Sequence, residues 1–93
     1  MICGMATVTV KRGKEAAVVT AALEHAAALR TQPGCRATYV LLQRDAPVEV
    51  SISIFDDQES FDRAVDATRP VIARHHLEQL WERPPSFATF DVR

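Results

Sequence analysis

Histidine and tyrosine are the side chains of this sequence best suited to proton chemistry. His75 and His76 are adjacent in a helix-like run, so they point about 100° apart and cannot share one face. His76 continues the helical spacing of Ile72 and Leu80, and we expect it to point inward. A neutral imidazole near pH 7 suits a general base that removes a phenolic or enolic proton. We therefore predict His76, or else His75, as the base. The alternative is a structural helix histidine that is hydrogen-bonded to a neighbouring group.

Tyr39 lies in a strand-like run and is the third candidate for the chemistry. Its phenol can donate a hydrogen bond to a ligand carbonyl. The alternative is a half-buried strand tyrosine whose hydroxyl lies in solvent. His25 has no partner in its segment, so we expect it at the surface.

Four further side chains are predicted to contact the ligand of such a site, namely Phe55, Trp81, Ser53 and Arg69. For Trp81, packing or an oligomer contact is the favoured alternative. For Arg69, as for Arg36, the favoured alternative is a salt bridge with Asp62, Asp66 or Glu49. Ser51 and Ser53 have no neighbouring base and orienting group in the sequence, so nothing supports a nucleophilic serine.

Metal and cofactor motifs are missing from the sequence. Adjacent histidines lack the i, i+4 spacing that converges on one ion, and no run of cysteines or carboxylates completes a ligand set. Cys3 and Cys35 are too few and too far apart for a metal box or a disulfide framework. The sequence contains neither a glycine-rich phosphate loop nor a dinucleotide fingerprint. We therefore predict no metal and no cofactor.

Composition narrows the class of protein. The 93 residues fit one domain, residues 1–93, and 47% hydrophobic residues indicate a globular chain. A net charge of -1 gives no electrostatic reason to expect nucleic acid or an acidic membrane as partner. No apolar run approaches the roughly 18 residues of a membrane span, and the first residues do not read as a signal peptide. A cytoplasmic location is the default expectation.

Turn residues divide the chain into six segments in the order βαββαβ. The predicted strands are Ile2 to Val10, Cys35 to Arg44, Val48 to Phe55 and Ser86 to Val92; the first helix runs from Lys14 to about Thr31, and the second starts at Asp56 and runs towards Pro84-Pro85. This order predicts an α+β, ferredoxin-like sandwich: a four-stranded antiparallel sheet with both helices on one face. Pro70 should break the second helix, so that residues from Thr68 to Trp81 border the ligand pocket.

Alternating residues predict which side of each strand meets the helices. The even residues of the first strand are the apolar ones and should face the helices. In the third strand we expect Val48, Val50, Ile52 and Ile54 in the core, with Glu49, Ser51, Ser53 and Phe55 on the other face. The first helix should bury Ala16, Val19, Leu23, Ala26 and Ala27. The open face, with Met5, Ser53 and Phe55 on it, then needs a cover, which predicts a homodimer with two facing sheets.

Several segments resemble the antibiotic biosynthesis monooxygenase-like group of the dimeric α/β-barrel superfamily. The matching segments are Val8–Glu15, Gln32–Arg36, Val50–Phe61 and the Pro84-Pro85 step. The resemblance implies a homodimer that binds a small molecule between sheet and helices. It further implies cofactor-independent monooxygenation of a phenolic, quinol or polyketide-like substrate, with a non-catalytic ligand-binding or assembly module as the alternative.

The sequence departs from this group at positions that carry chemistry in some of its members. Haem-degrading relatives carry an Asn on the first strand, which this chain lacks, and a Trp on the second helix near the position of Ala64. Their helix His falls near Arg74. Oxygenase relatives often carry a His where this chain has Ala64-Val65. Haem degradation is therefore not expected.

Overall fold

The computed structural model describes all 93 residues and confirms the predicted order of elements. The strands are β1 (Ile2–Thr9), β2 (Cys35–Leu42), β3 (Val48–Phe55) and β4 (Ser86–Asp91); the helices are α1 (Glu15–Arg30) and α2 (Gln58–Ala73), followed by a 3-10 turn at Leu77–Gln79. The strands form one antiparallel sheet in the order β2-β3-β1-β4. This is the ferredoxin-like α+β fold. Neither helix is long and apolar enough to cross a membrane.

Local sequence explains where the helices begin. Gly13 and Gly34 adopt φ values of 83° and 85°, a region that glycine enters without steric cost, and so allow the turns before α1 and β2. The N-cap of α2 is Asp57 rather than Asp56, because its side chain accepts a hydrogen bond of 2.8 Å from the Ser60 backbone N–H.

The pairing of β1 with β3 fixes which residues share a face. Ile2 pairs with Phe55, Gly4 with Ser53 and Val8 with Glu49, and directly paired residues point to the same side of a sheet. The even residues of β1 do face the helices, as predicted: Ile2 packs with Leu29 of α1 and Ala64 of α2.

The prediction of which β3 residues face the helices is therefore wrong, because the two faces of the strand are exchanged. Phe55 is fully buried and Glu49 is 2% exposed, so the side carrying Glu49, Ser51, Ser53 and Phe55 lies under the helices. Val48, Val50, Ile52 and Ile54 lie on the open face. Alternation alone cannot tell an apolar face that meets helices of its own chain from one that needs an external cover.

Gly4 sits at the tightest contact between sheet and helices. A Cβ atom there would lie 2.5 Å from the Phe61 ring, closer than carbon atoms can approach. The missing side chain lets the Phe61 ring lie directly on β1. The Phe61 and Phe55 rings meet edge to face, with centroids 5.7 Å apart and planes at 71°.

The buried face of α1 also differs from the predicted one. Val18, Ala21, Ala26 and Leu29 are buried, whereas Ala16 and Ala27 are exposed and Leu23 is 51% exposed. Of the predicted stripe, Ala26 alone is fully buried. Alanine, valine and leucine occur on most sides of this helix. Several apolar stripes therefore fit the helical spacing, and the spacing alone does not identify the buried one.

Pro70 does not break α2, which continues through Ala73. Pro70 has no N–H for the Asp66 carbonyl, so the helix continues past it with one backbone hydrogen bond missing. The chain turns away after Ala73, and His76 there has a left-handed φ of 49°. The redirection predicted at Pro70 thus occurs one turn later.

Candidate functional site

A cavity of about 230 Å³ lies between the helices and the sheet. Its wall is mostly apolar, with contributions from both helices, all four strands and the segment after α2. The polar side chains facing it are few: His25, Thr38, Glu49, Ser51 and Ser53. A small apolar cavity with a few polar groups is typical of a site for a small organic ligand.

His25 of α1 is the imidazole in this cavity. Its Nε2 lies 3.0 Å from Thr68 Oγ1. We assign the Thr68 hydroxyl proton to the Ala64 carbonyl, 2.8 Å away, which leaves Thr68 Oγ1 to accept from Nε2–H of His25. The free lone pair of His25 is then on Nδ1, to which no protein group bonds. Burial lowers the pKa of His25, so the imidazole is neutral near pH 7 and its free nitrogen can accept a proton.

Glu49 of β3 is the second titratable side chain that faces the cavity. Its Oε1 accepts a 2.6 Å hydrogen bond from the Ser51 hydroxyl, while Oε2 is sealed from solvent and has no hydrogen-bond partner. Burial raises the pKa of Glu49, and the Ser51 hydrogen bond opposes that rise only in part. The carboxyl group is therefore protonated over a wider pH range than an ordinary glutamate.

Of the predicted ligand contacts, two line the cavity and two do not. Ser53 and Trp81 line it, as do Ile72 and Leu77 of the predicted border segment. Phe55 does not, because its fully buried ring is packed in the core against Phe61. Arg69 does not either, since its guanidinium is exposed and pairs with Asp66 at 2.9 Å.

The predicted inward orientation of His76 is wrong. His76 lies beyond the end of α2, where its ring is 69% exposed and 4.0 Å from the Glu78 carboxylate. His75 is more buried, but its Nε2 lies 2.7 Å from Glu24 of α1, which also binds Arg74. Neither histidine lines the cavity. The helical spacing that suggested an inward His76 does not apply, because the helix has already ended.

Tyr39 pairs with Ile52, which places both side chains on the open face of the sheet. Tyr39 is 53% exposed there. Tyr39 is one of the residues that line the cavity, but this register points its side chain away from the helices, so its phenol and the His25 ring lie on opposite sides of the sheet. This matches the exposed-tyrosine alternative.

His25 is the functional residue that sequence reasoning missed. The prediction that it lies at the surface is wrong, because it continues the cavity-lining series Val18, Ala21, Ala22 and Leu29 at helical spacing. That series was present in the sequence, but so were competing apolar series on the same helix. Glu49 was missed because an acidic residue between valines reads as solvent-facing.

The side chains of the structure do not form a cluster that could bind a metal ion. No three His, Cys, Asp or Glu residues come together, and Cys3 and Cys35 are free thiols.

Comparison with known proteins assigns the chain to a family. The model of the antibiotic biosynthesis monooxygenase family matches residues 1–70. The chain belongs to this family. Among curated proteins, none matches the chain in sequence.

Several solved structures superpose on nearly the whole chain. A candidate antibiotic biosynthesis monooxygenase of Nitrosomonas europaea has a TM-score of 0.88 at 15% identity, over 99% of this chain and 98% of its own. Rv0793 of Mycobacterium tuberculosis has a TM-score of 0.86 at 14% identity, over 99% and 94%. SnoaB of Streptomyces nogalater, a cofactor-independent oxygenase, has a TM-score of 0.80 at 25% identity, over 99% and 92%.

Proposed function

We propose that this protein is a cofactor-independent monooxygenase of a small phenolic, quinol or polyketide-like substrate. The observation that carries the proposal is a neutral imidazole, His25, in a cavity whose wall is mostly apolar. Its free Nδ1 can take a proton from a bound ligand, and the apolar wall suits an aromatic ring. Membership of the family and the similarity to SnoaB support this reaction class.

The reaction would begin with transfer of the substrate's phenolic proton to His25 Nδ1. The resulting anion is electron-rich at a ring carbon, which forms a C–O bond with dioxygen. The imidazolium returns its proton to the distal oxygen, which gives a hydroperoxide on that carbon. The O–O bond then breaks as the C–H proton leaves, and water departs. In sum, a phenol and dioxygen give a quinone and water.

The other residues of the cavity would hold the substrate rather than exchange protons with it. Trp81 offers an aromatic wall, and Ser53 a hydroxyl on the sheet floor. Thr68 is a positioning residue, because it fixes the His25 tautomer that leaves Nδ1 free. The mostly apolar wall offers the anion few protons, which favours its reaction with dioxygen over reprotonation.

Oxygen consumption tests the proposal directly. We expect uptake of dioxygen, one mole per mole of quinone formed, with at least one member of a panel of hydroquinones and anthrones. Uptake should persist in the presence of chelators and without added flavin. Absence of uptake across the panel, together with ligand binding to the cavity, would support the alternative of a non-catalytic binding module.

We also propose that the protein is a homodimer in which two sheets face each other. The open face is more apolar than the sequence indicated, since it carries Met5, Leu41, Val50, Ile52, Ile54 and Phe90 instead of Ser53 and Phe55. Leu41 and Phe90 are 47% and 49% exposed in the single chain. A contiguous apolar face of this kind indicates an interface, and a second copy offers a matching surface.

A charge placed on the open face should separate the two chains. We expect wild type to sediment as a dimer, and Ile52→Glu or Leu41→Glu to shift it towards monomer, because a carboxylate would be buried without a partner. Leu23→Glu on the exposed side of α1 is the control and should leave the dimer intact. Analytical ultracentrifugation at micromolar concentration measures the three variants; a monomeric wild type would refute the proposal.

A further inference from the structure

Phe87 is a large apolar side chain that is left mostly in water, although it belongs to the cavity wall. It is 77% exposed and is one of the residues that line the cavity. Its partner in β1 is Ala6, which faces the helices, so the Phe87 ring also lies on that side of the sheet. The proposed dimer uses the other face of the sheet and would therefore leave this ring uncovered.

The helices cover the cavity at one end and leave it open at the other. α1 packs mainly against β2 and β3, and α2 against β1 and β3. The Thr38 hydroxyl of β2 donates to the Ala26 carbonyl at 3.4 Å, which places the helix turn carrying His25 near this edge of the sheet. β4 is the opposite edge, and its helix-facing residues Phe87 and Thr89 are both exposed. His25 therefore lies towards the covered end, and Phe87 lies at the open end.

A low floor joins the two ends. Ala6 pairs with Ser51 of β3 on one side and with Phe87 of β4 on the other, and all three line the cavity. Neighbouring strands lie about 4.8 Å apart, so this row extends roughly 10 Å from β3 to β4. The next helix-facing position of β1, Gly4, lies under the Phe61 ring, which bounds the floor on that side. A planar ring can therefore rest on Ala6 and contact Phe87.

Trp81 borders the same open end but is held by its own chain. Its backbone pairs with Val10 of β1, and its ring packs against the buried valine cluster around Val10. Phe87 belongs to neither core cluster. Val10 and Ala6 are four residues apart, about 13 Å along a strand, so the two aromatic side chains bound the opening from different positions. Of the two, Phe87 is the ring that a ligand would remove from water.

We propose that Phe87 binds the outer ring of a fused-ring phenolic ligand whose inner ring lies at His25, and that it thereby selects two-ring over one-ring ligands. A ring seated on Ala6 would bury apolar surface of Phe87 and add an aromatic contact. A single ring at His25 is too short to reach β4 across a floor of about 10 Å. This inference deepens the proposed function and rests on it for the phenolic group placed at His25, but it concerns binding and requires no turnover.

Phenol and 1-naphthol test this role of Phe87 under anaerobic conditions, because they share the hydroxyl group and differ by one ring. Trp81 is the only tryptophan of the chain, so its indole N–H gives a single NMR signal that reports occupation of the cavity. Phe87→Ala should weaken 1-naphthol binding about five- to tenfold and change phenol binding by less than about twofold. Phe87→Leu keeps an apolar side chain without the ring and should show a smaller loss.

Leu23→Ala is the matched control. Leu23 is 51% exposed on α1 and does not line the cavity, so its truncation removes apolar surface without touching the ligand. Both dissociation constants should stay within about twofold of wild type. Circular dichroism should show that all three variants are folded, because both positions are exposed.

Three results would overturn the proposal. Equal weakening of both ligands in Phe87→Ala would mean that the ring shapes the whole cavity. No weakening of 1-naphthol, or no shift of the Trp81 signal by 1-naphthol in wild type, would mean that the ligand does not reach this ring. A change from dimer to monomer in Phe87→Ala with unchanged ligand binding would assign the ring to a contact between copies of the chain.

Failure of this role and failure of the proposed reaction give different results. Selective loss of 1-naphthol binding in Phe87→Ala, without oxygen uptake on any substrate, would remove the reaction and leave the role of Phe87. Oxygen uptake with no selective loss would do the reverse.

Discussion

Replacement of His25 by Gln is expected to lower kcat for oxygen uptake by about 10²- to 10⁴-fold, the usual contribution of a positioned general base. Glutamine has nearly the same size, and its amide can still donate to Thr68 Oγ1, so the cavity should keep its shape. It cannot accept a proton from a phenol. KM should therefore change little while kcat falls, which steady-state oxygen-electrode kinetics can distinguish.

The pH profile provides a second measure of the same residue. Since the base must be neutral, kcat/KM should fall as pH drops through the lowered pKa of His25, below the ordinary histidine value of about 6.5. His75→Gln and His76→Gln are the matched controls, because both rings lie outside the cavity, and each should retain activity within about a factor of two. A loss confined to His76→Gln would restore the base predicted from sequence and remove His25 from that role.

Thr68→Val tests whether the His25 tautomer matters. Valine has the shape of threonine but accepts no hydrogen bond, so the ring is free to place its proton on either nitrogen. We expect a smaller loss of kcat than for His25→Gln, since the base is still present but its lone pair is no longer held on Nδ1. Full activity in this variant would show that the hydrogen bond has no positioning role.

The order and limits of the elements could be predicted because local signals mark them. β3 begins and ends where expected, at Val48 and Phe55, because the turn at Ala46-Pro47 precedes it and the α2 cap follows it. Gly13 and Gly34 mark two further boundaries through their left-handed backbone. Each of these signals acts within a few residues, so neighbouring sequence suffices to find it.

The assignment of faces could not be predicted, because it depends on partners distant in sequence. β3 has large apolar side chains on both faces: Phe55 points to the helices, while Ile52 and Ile54 point to the open side. Only its register with β1, which pairs Phe55 with Ile2, decides which face the helices cover. The same error displaced the site, since Glu49 and Ser51 were assigned to the open side and His25 to the surface.

Truncation of Phe55 to Ala is expected to lower the free energy of unfolding by about 3–5 kcal/mol, a large share of the stability of a domain this small. Its ring is fully buried, and it packs edge to face on Phe61 next to Ile2, Leu29 and Ala64. The closely packed backbone at Gly4 holds Phe61 from the other side, so the surrounding groups have little freedom to collapse into the space. Urea unfolding followed by circular dichroism measures the loss; if the variant is unfolded in water, Phe55→Leu should show a smaller loss of the same origin.

A second aromatic truncation shows that the effect comes from burial and not from loss of a ring as such. Phe87 on β4 is 77% exposed, and Phe87→Ala should change the free energy of unfolding by no more than about 0.5 kcal/mol. Phe87 is a better control than Phe90, because the open face that carries Phe90 is the proposed dimer interface and its truncation would also shift association. Both variants must be measured at one protein concentration, since dimer formation adds to apparent stability.

The sequence predicted Phe55 to be a ligand contact. Truncation of a ligand contact would leave the free energy of unfolding nearly unchanged and weaken ligand binding. A loss of stability below about 1 kcal/mol, accompanied by weaker binding of a hydroquinone or anthrone, would therefore restore that role and contradict the core position of this ring.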